Sequence, residues 1–239
     1  MLAFCAEQRR GPVRTMNPTD FKTASPLLVD RVSYLLEQSA GKRVLHLGCT
    51  DWPYTETKLR GGALLHGQLQ RSARELTGVD LDAEGVECLR RLGFAQTYRD
   101  NVEQFTAPEV RARQYDLILA GEIIEHLENP GLFLRAVQTL MTRETELIIT
   151  TINAFCFFRF LYYLGGNEMV HPDHNYYFSP AVLRKLITRC GLEVTDFRHC
   201  AIGREIRALN PRRIVWLDDA GRWLFPRASD GVIFKARRI

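Results

Sequence analysis

Short apolar runs alternate with longer amphipathic stretches along most of the chain, and this alternation predicts a parallel β-sheet with crossover helices. Each apolar run has the length of a strand that is buried on both faces. The stretches between them have the length of helices, so consecutive strands should lie parallel and be joined by right-handed crossovers. The predicted strands cover 43–47, 76–80, 94–98, 115–120, 146–151, 192–197 and 231–236. The predicted helices cover 25–39, 62–74, 83–91, 130–142 and 180–190.

Capping residues indicate where the first and last of these helices begin. Ser25 and Pro26 suit the first turn of the first helix, and Ser179 and Pro180 suit that of the last. Gly191 ends the last helix, because glycine readily takes the left-handed conformation after a helix C-terminus. A Trp-containing stretch between the last two strands predicts a further helix or helix pair, and it covers 204–226.

The composition is that of one folded domain with additions. The 239 residues are 46% hydrophobic and 25% charged, which suffices for a sizeable core. We therefore divide the chain into an N-terminal tail with a covering helix at 1–40 and one α/β domain at 41–239. The six cysteines are scattered without a C-x-x-C pair, which argues against a disulfide framework or a zinc site. The apolar start is too short for a secretory signal, and the stretch at 154–164 is too short to span a membrane, so we predict a cytoplasmic protein.

Positive charge is concentrated towards the C-terminus. The formal net charge is +4, and the basic segment at 198–239 holds 10 Lys and Arg residues against 4 Asp and Glu residues. Such a segment can meet an anionic partner or simply form a solvated surface. The isoelectric point of about 8.8 is below that typical of a nucleic-acid-binding domain, so a nucleic acid is not the predicted partner.

Three segments carry the strongest chemical signal. In RVLHLGCTD, at 43–51, Gly48 follows an apolar run and lets the backbone turn sharply beside a bound ligand. In LTGVDLD, at 76–82, Asp80 ends the next strand with paired acceptor oxygens that suit the two hydroxyls of a ribose. YDLILAGEIIEHLENP, at 115–130, runs from a third apolar strand into a polar loop. Together they predict a nucleotide pocket at the carboxyl edge of the sheet.

With these segments in this order, the chain resembles the class I S-adenosylmethionine (SAM) dependent methyltransferases over roughly residues 40–200 and a last strand near 232–236. A dehydrogenase that uses NAD would show G-x-G-x-x-G and an acid about 20 residues further on. Here Cys49 and Thr50 follow Gly48, and the acid lies 32 residues after that glycine. The resemblance implies a Rossmann-like α/β sheet of seven strands in the order 3-2-1-4-5-7-6, with the last strand antiparallel and helices on both faces. It also implies SAM as cofactor, S-adenosylhomocysteine as product, and no metal.

The same resemblance assigns cofactor contacts to the ends of the strands. His46 stands where the family often has an acid, so one contact to the amino-acid end of SAM should differ here. Asp80 is expected to hold the ribose, Asp100 to accept from the adenine amino group, and Glu122 to lie beneath the methionine portion. The predicted cofactor-binding residues are His46, Gly48, Cys49, Thr50, Asp80, Leu81, Asp100, Asn101, Gly121, Glu122 and Glu125.

Two stretches lie where an acceptor substrate should enter, and both are treated as substrate-side insertions. The loop at 51–62 should run along the carboxyl ends of the strands, where open α/β sheets bind ligands. The aromatic-rich segment at 154–178 follows the fifth strand, where the family commonly covers its acceptor. The predicted substrate-binding residues are Trp52, Tyr54, Asn153, Phe155 and Tyr176. The alternatives are a surface insertion for the loop and core packing for the aromatic stripe.

The HPDH sequence in the second insertion supplies candidates for proton transfer. O-methyl transfer requires the acceptor hydroxyl to lose its proton, and a neutral histidine can accept that proton near neutral pH. We expect His174 to be the base, with His171 as a supporting residue and His126 as a further candidate. Structural hydrogen bonding and a metal site are the alternatives. Because HPDH lacks the i, i+4 spacing of a helical metal site, no metal is expected.

The predicted function is therefore SAM-dependent O-methylation of a small hydroxylated metabolite, a sugar or a glycan. N-methylation of a small molecule is the second interpretation. A non-catalytic protein that binds SAM or a partner is the third. The sequence leaves the acceptor, the methylated atom and the oligomeric state open.

Overall fold

A computed structural model describes residues 28–168, 170–201 and 224–239, and one mixed sheet runs through this part of the chain. Among the described residues eight strands form it: β1 (Leu28–Asp30), β2 (Arg43–Leu47), β3 (Glu75–Asp80), β4 (Thr97–Arg99), β5 (Leu117–Gly121), β6 (Glu146–Ile152), β7 (Leu192–Ala201) and β8 (Gly231–Arg238). Their order across the sheet is β1-β7-β8-β6-β5-β2-β3-β4. Strand β8 is antiparallel to both of its neighbours, β6 and β7, and the other pairs are parallel.

Helices cover both faces of this sheet, as predicted. Side chains alternate along a strand, so Ile118 and Ala120 of β5 pack on one face and Leu117 and Leu119 on the other. The first pair joins a core with α6 (Pro130–Leu140) and α8 (Pro180–Arg189), and the second joins a core with α1 (Arg31–Ser39) and α3 (Leu65–Ser72). The helices described are α1 (Arg31–Ser39), α2 (Thr55–Arg60), α3 (Leu65–Ser72), α4 (Ala83–Arg91), α5 (Pro108–Arg111), α6 (Pro130–Leu140), α7 (Phe157–Leu164) and α8 (Pro180–Arg189).

The count of seven strands is wrong, although the seven predicted strands lie in the predicted order with the last one antiparallel. The additional strand, β1, pairs in parallel with β7 at the edge of the sheet, with Leu28 opposite His199. It exists because α1 begins later than predicted. The side chain of Asp30 accepts a hydrogen bond from the Ser33 N–H at 3.0 Å and caps the helix, which leaves the preceding residues extended. Ser25 and Pro26 lie outside the described residues.

Two further boundaries differ from the prediction for local reasons. The predicted helix at 62–74 begins at Leu65, because Gly62 takes a φ of 70° and interrupts it, and the loop before it contains α2. The predicted strand at 94–98 is reduced to β4, because the Phe94 N–H donates to the carbonyl of Leu89 at 3.0 Å and closes the end of α4 instead.

The aromatic stripe after β6 forms helix α7, and core packing is the wrong interpretation of it. None of the residues of α7 is buried, and Phe160 and Tyr163 are 55% and 69% exposed. The predicted helix or helix pair at 204–226 lies almost entirely outside the described residues. Within the part of the chain that the structure describes, no helix is long and apolar enough to cross a bilayer. The cytoplasmic location stays a prediction.

Candidate cofactor and acceptor site

The turn after β2 brings backbone to the carboxyl edge of the sheet. Gly48 has a φ of 71°, a conformation that glycine adopts without steric cost, and its N–H donates to the Val79 carbonyl at 2.9 Å. A Cβ at this position would come within 3.3 Å of the Ile123 side chain from the loop after β5. The turn is therefore packed from both sides, and its remaining backbone can approach a ligand closely. Cys49, the next residue, is buried in a small apolar cluster and acts as a packing residue.

Asp80 ends β3 beside this turn, and its carboxylate is already held. Its Oδ2 accepts from the Thr50 N–H at 3.0 Å and from the Thr50 hydroxyl at 2.9 Å. Its Oδ1 accepts from the Asp82 N–H at 3.1 Å. Because each carboxylate oxygen has two acceptor positions, Oδ1 retains one for a ligand hydroxyl. The strand tips and turn at 46–50 and 80–82 are called the cofactor edge below, and Leu81 lies exposed on it.

A buried histidine pair lies beneath the cofactor edge. His46, on β2, faces His66, on α3, with 3.1 Å between the two Nδ1 atoms, and both side chains are almost inaccessible. One Nδ1 must donate and the other accept, so the two rings are in different tautomers when both are neutral. Burial lowers the pKa of His66 to about 4, and burial, followed by the charges of His66 and Arg31, lowers that of His46 well below its usual value. The predicted contact between His46 and SAM stays a prediction, since its Nδ1 is already used within the protein.

Asp100 organises the loop after β4. Its carboxylate accepts four hydrogen bonds of 2.8–3.0 Å, from the N–H groups of Asn101, Thr106 and Ala107 and from the Thr106 hydroxyl. Burial opposes ionisation of this group, but these hydrogen bonds prevail and hold the pKa below its usual value. The predicted adenine contacts of Asp100 and Asn101 stay predictions. The hydrogen bonds within the loop compete with the contact predicted for the Asp100 carboxylate.

The end of β5 is strained and carries an acid. Glu122 has a φ of 54°, which is unusual for a residue with a side chain, and its N–H donates to the Thr150 carbonyl at 2.9 Å. Its carboxylate faces Arg31 of α1, with 3.6 Å between Oε1 and Nε. Burial raises the pKa of Glu122, and Arg31 only partly opposes this shift. Gly121 lies just before, with Arg31 on its open side.

Glu125 is the most unusual acid of the described residues. Its side chain is fully buried, and neither carboxylate oxygen has a hydrogen-bond partner within the described ranges. Burial raises the pKa of this group to about 7 and the charge of Glu122 adds to the shift, while the nearby backbone and the Thr151 side chain oppose it only in part. A buried carboxylate without partners is costly, which sets Glu125 apart from the well-bonded carboxylates of Asp80 and Asp100.

Two histidines meet Glu125. One carboxylate oxygen of Glu125, one ring nitrogen of His126 and one ring nitrogen of His174 all lie within 4.8 Å of one another. The His126 and His174 rings are 4.6 Å apart, and His174 Nδ1 is buried without a partner among the described residues. Burial and the two neighbouring histidine rings lower the pKa of His174 to about 4, so this ring is neutral. Glu125, His126 and His174 are called the acid–histidine cluster below.

Hydrogen bonds fix the loop that carries His174 over the loop that carries Glu125. The Glu125 carbonyl accepts from the N–H groups of Asn175 and Tyr176 at 2.8 and 3.1 Å. The Asn175 amide donates to the His126 carbonyl at 2.8 Å, and the Tyr176 hydroxyl donates to a further carbonyl of the same loop at 3.0 Å. His126 Nδ1 donates in return to the Asp173 carbonyl at 3.0 Å. The acid–histidine cluster is therefore assembled and held before any ligand binds.

The predicted base and its supporting residue differ in environment. His171 is more than half exposed, and its Nδ1 lies 3.7 Å from the Asp173 carboxylate. Its ring is 4.9 Å from that of His174, but it is not part of the cluster with Glu125. The roles of His174, His171 and His126 in catalysis stay predictions, and the structure brings all three rings together.

The predicted substrate-binding aromatics lie at the surface. Trp52 and Tyr54 precede α2, and Tyr176 stacks on Phe178 with the ring centroids 5.5 Å apart. Phe155 is 66% exposed and borders an open apolar depression of about 550 Å³ formed with residues 224–228. These positions are consistent with an acceptor surface, and contact with an acceptor stays a prediction.

Asn153, in contrast, has a structural role. Its amide nitrogen donates to the carbonyls of Arg227 and Ser229 at 3.0 and 2.8 Å, and its side-chain oxygen accepts from the Phe155 N–H at 3.0 Å. The side chain is fully buried. These bonds occupy the amide group in holding the residues before β8 against the end of β6, and the predicted acceptor contact stays a prediction.

Two residues of this region were not among the predicted site residues. His66 is the partner of His46. The glycine at position 78 of β3 is the sequence signal for this contact, because a Cβ there would lie 2.8 Å from the His66 ring. Arg31, at the first turn of α1, is the counter-ion of Glu122. No motif marks it, since it reaches the site through the pairing of β1 with β7.

Comparison with known proteins agrees with this geometry. Residues 21–196 match a family described as "Methyltransferase domain". A relative named ubiquinone biosynthesis O-methyltransferase, from Aeromonas salmonicida (strain A449), is 26% identical over 189 residues, or 74% of this chain and 75% of its own length.

Solved structures share the fold at low identity. A SAM-dependent methyltransferase from Mesorhizobium loti superposes with a TM-score of 0.56 at 13% identity, covering 87% of this chain and 95% of its own. Magnesium protoporphyrin IX methyltransferase from Synechocystis PCC 6803, crystallised with S-adenosylhomocysteine, superposes with a TM-score of 0.54 at 16% identity, covering 87% of this chain and 80% of its own.

Proposed function

Because the chain belongs to the family of SAM-dependent methyltransferases, we propose that it transfers the methyl group of SAM to a hydroxyl oxygen of a small acceptor, either a metabolite or a sugar. The similarity to a curated O-methyltransferase supports oxygen as the methylated atom. The acceptor itself is assigned only as a chemical class.

The acid–histidine cluster is the observation that carries this proposal. A hydroxyl must lose its proton as the methyl group arrives, whereas a neutral amine attacks through a lone pair that it already has. Glu125, His126 and His174 place proton acceptors together in a fixed arrangement, in which Glu125 is buried and the two histidines are partly buried. Glu125 and His126 come shortly after Ile123, the residue that packs against the Gly48 turn, so the cluster lies close to the cofactor edge.

The cofactor edge is proposed to bind SAM through backbone and ribose contacts. The Gly48 turn would approach the amino-acid end of SAM, and the free acceptor position of Asp80 Oδ1 would take a ribose hydroxyl. Glu122 would lie beneath the methionine portion, with Arg31 balancing its charge. Thr50 keeps the Asp80 carboxylate in place through its two hydrogen bonds.

The reaction is an in-line displacement. The acceptor oxygen forms a bond to the methyl carbon, the bond from that carbon to sulfur breaks, and its electron pair returns to sulfur, which gives neutral S-adenosylhomocysteine. The hydroxyl proton passes to the cluster, with His174 as the proposed acceptor. Holding the oxygen, carbon and sulfur in line supplies much of the rate gain. The hydrogen-bonded loops that carry Glu125 and His174 would hold the acceptor oxygen at one end of this line.

The test uses SAM labelled in its methyl group and matched acceptors that differ in one atom, such as a catechol and the corresponding aminophenol, together with simple sugars. We expect the label on oxygen and one equivalent of S-adenosylhomocysteine per methyl transferred. Label found exclusively on nitrogen would make the protein an N-methyltransferase. SAM binding without transfer to any acceptor of a broad panel would favour a non-catalytic SAM-binding protein.

A further inference from the structure

We propose that Glu125, His126 and His174 form a binding site for a divalent first-row transition-metal cation. The three side chains offer one ligand atom each within 4.8 Å of one another, from two loops that hydrogen bonds hold together. One carboxylate and two imidazoles are a ligand set suited to zinc, manganese, cobalt or iron rather than to calcium. The proposal revises the expectation that no metal is bound, which was drawn from the family resemblance and from the spacing within HPDH.

The first argument is that the ligand atoms are buried and unsatisfied. Both oxygens of Glu125 and Nδ1 of His174 lack hydrogen-bond partners among the described residues, although water does not reach these atoms. An unpaired buried carboxylate costs several kcal/mol unless a charge or a donor compensates it. A bound cation would satisfy the carboxylate and a histidine nitrogen at once.

The second argument is that the tautomer of His126 is already set for ligation. Its Nδ1 lies 3.0 Å from the carbonyl oxygen of Asp173, which can only accept, so Nδ1 carries the hydrogen. Nε2 of the same ring therefore holds a free lone pair. A histidine that binds a metal typically donates its other N–H to a carbonyl or carboxylate in this way.

The third argument is the spacing of the ligands. Bonds of about 2.0–2.2 Å to a cation place its ligand atoms roughly 3–4 Å apart. The ligand atoms of the cluster lie within 4.8 Å of one another, which is only slightly longer than this spacing. Small side-chain rotations would therefore bring them to bonding distance of one cation without moving the loops. With three protein ligands the cation would keep open positions for water or for an acceptor oxygen, as catalytic rather than structural sites do.

The position suggests what the cation does, and this part of the proposal rests on the proposed function. A hydroxyl bound to a divalent cation loses its proton more easily and is held in one orientation, both of which favour attack on the SAM methyl group. With the cation bound, His174 is a ligand, and the hydroxyl proton passes to water instead of to His174. An acceptor with two neighbouring oxygens would chelate the cation and gain most from it.

The test measures cation binding directly, without relying on activity. The full chain is stripped with a chelator and titrated with Co²⁺, Zn²⁺, Mn²⁺ and Mg²⁺, following heat release and, for Co²⁺, the visible absorption that reports its ligand geometry. We expect one equivalent of a transition-metal cation per chain. Glu125→Gln and His174→Ala should each weaken its affinity by about 100-fold or more, because each removes one of three ligands.

His171→Ala is the matched control, since it removes a histidine from the same loop that lies outside the cluster. Its cation affinity should stay within about threefold of the unmodified protein. The folded state of each variant is checked by its unfolding in urea, which should remain a single cooperative transition. The proposal is overturned if none of the four cations binds with one equivalent, or if His171→Ala weakens binding as much as His174→Ala does.

The same samples separate this proposal from the proposed function. A bound cation that the cluster variants lose, in a protein that methylates no hydroxyl, would leave the cation site standing and remove the O-methyltransferase proposal. O-methyl transfer at full rate by a protein that binds none of the four cations would do the reverse.

Discussion

The cofactor edge and the acid–histidine cluster lie at neighbouring strand ends of one sheet, yet they are built in opposite ways. At the cofactor edge the carboxylate of Asp80 receives three hydrogen bonds from its own surroundings. In the cluster the carboxylate of Glu125 receives none from the described residues, although it is the more deeply buried of the two. The protein has thus completed one site internally and left the other dependent on what binds there. The first can recognise a ligand at little cost, and the second stores an unfavourable energy that a ligand releases.

The strongest test of this contrast is turnover in the cluster. Glu125→Gln keeps the shape of the side chain but removes its charge, and we expect it to lower methyl transfer by about 1000-fold, the order typical of a lost proton-transfer or charge-stabilising group. SAM affinity, measured by calorimetry, should change by less than threefold. A loss of SAM binding of the same size would mean that the two regions form a single site.

The next test concerns the buried histidine pair under the cofactor edge. Burial keeps His66 neutral with a pKa of about 4, whereas in the unfolded chain it titrates near 6.5. Between these pH values the unfolded state binds more protons, so the free energy of unfolding falls as the pH is lowered from 6.5 to 4. For His66 alone the loss is roughly 3 kcal/mol.

Urea denaturation at several pH values measures that slope. His66→Leu should flatten it, and His171→Ala, at an exposed histidine, should leave it unchanged. An equally steep slope in His66→Leu would show that the pair does not titrate as a buried unit and would weaken the description of the cofactor edge as internally complete.

A smaller effect is expected from the acid of the cofactor edge. Asp80→Ala should weaken SAM binding by about 2 kcal/mol through the loss of a charged hydrogen bond to the ribose. Asp82→Ala is the control, because that neighbouring carboxylate caps α4 through the Gly85 N–H and should affect stability rather than affinity. Titration calorimetry distinguishes the two, and equal SAM affinity of Asp80→Ala and the unmodified protein would remove the ribose assignment.

The smallest effect is expected at the rim. Tyr54→Ala removes an exposed aromatic ring from the substrate-side loop and should reduce turnover by about fivefold through poorer positioning of the acceptor, with SAM affinity unchanged. Tyr163→Ala removes a similarly exposed ring from α7 and shows whether the acceptor contacts the loop or that helix. An effect of Tyr163→Ala alone would move the acceptor site from the loop to that helix.

The two regions also differ in how far the sequence could predict them. The strand order and the cofactor edge depend on short segments, since Gly48 and Asp80 each end a recognisable apolar run. The cluster depends on a contact between distant segments: Asn175 lies 49 residues after His126 in the chain, and their hydrogen bond is one of those that join the loops. Spacing within HPDH could not reveal that the partners of His174 in the cluster, Glu125 and His126, come from another loop.

The errors in the fold have a similar origin. The eighth strand and the late start of α1 both follow from one side chain, Asp30, which caps the helix, whereas the prediction placed the cap at Ser25. Capping preferences of these two residue types are nearly equal, so the sequence does not decide between them. The hydrogen-bond partners of Asn153, the carbonyls of Arg227 and Ser229, could not be predicted either, because they are far away in sequence.

The pairing of β1 with β7 has a consequence for the order in which the molecule folds. Leu28 must find His199 from the other end of the described chain, and β7 itself needs β8 between it and β6. Contacts between such distant segments carry a high loop-closure entropy and form late. Because α1 follows β1 directly and carries Arg31, we expect the ion pair with Glu122 to reach its final geometry only after β1 has paired with β7. Pulse-labelled hydrogen exchange should then protect the central strands before β1, and simultaneous protection would contradict this folding order.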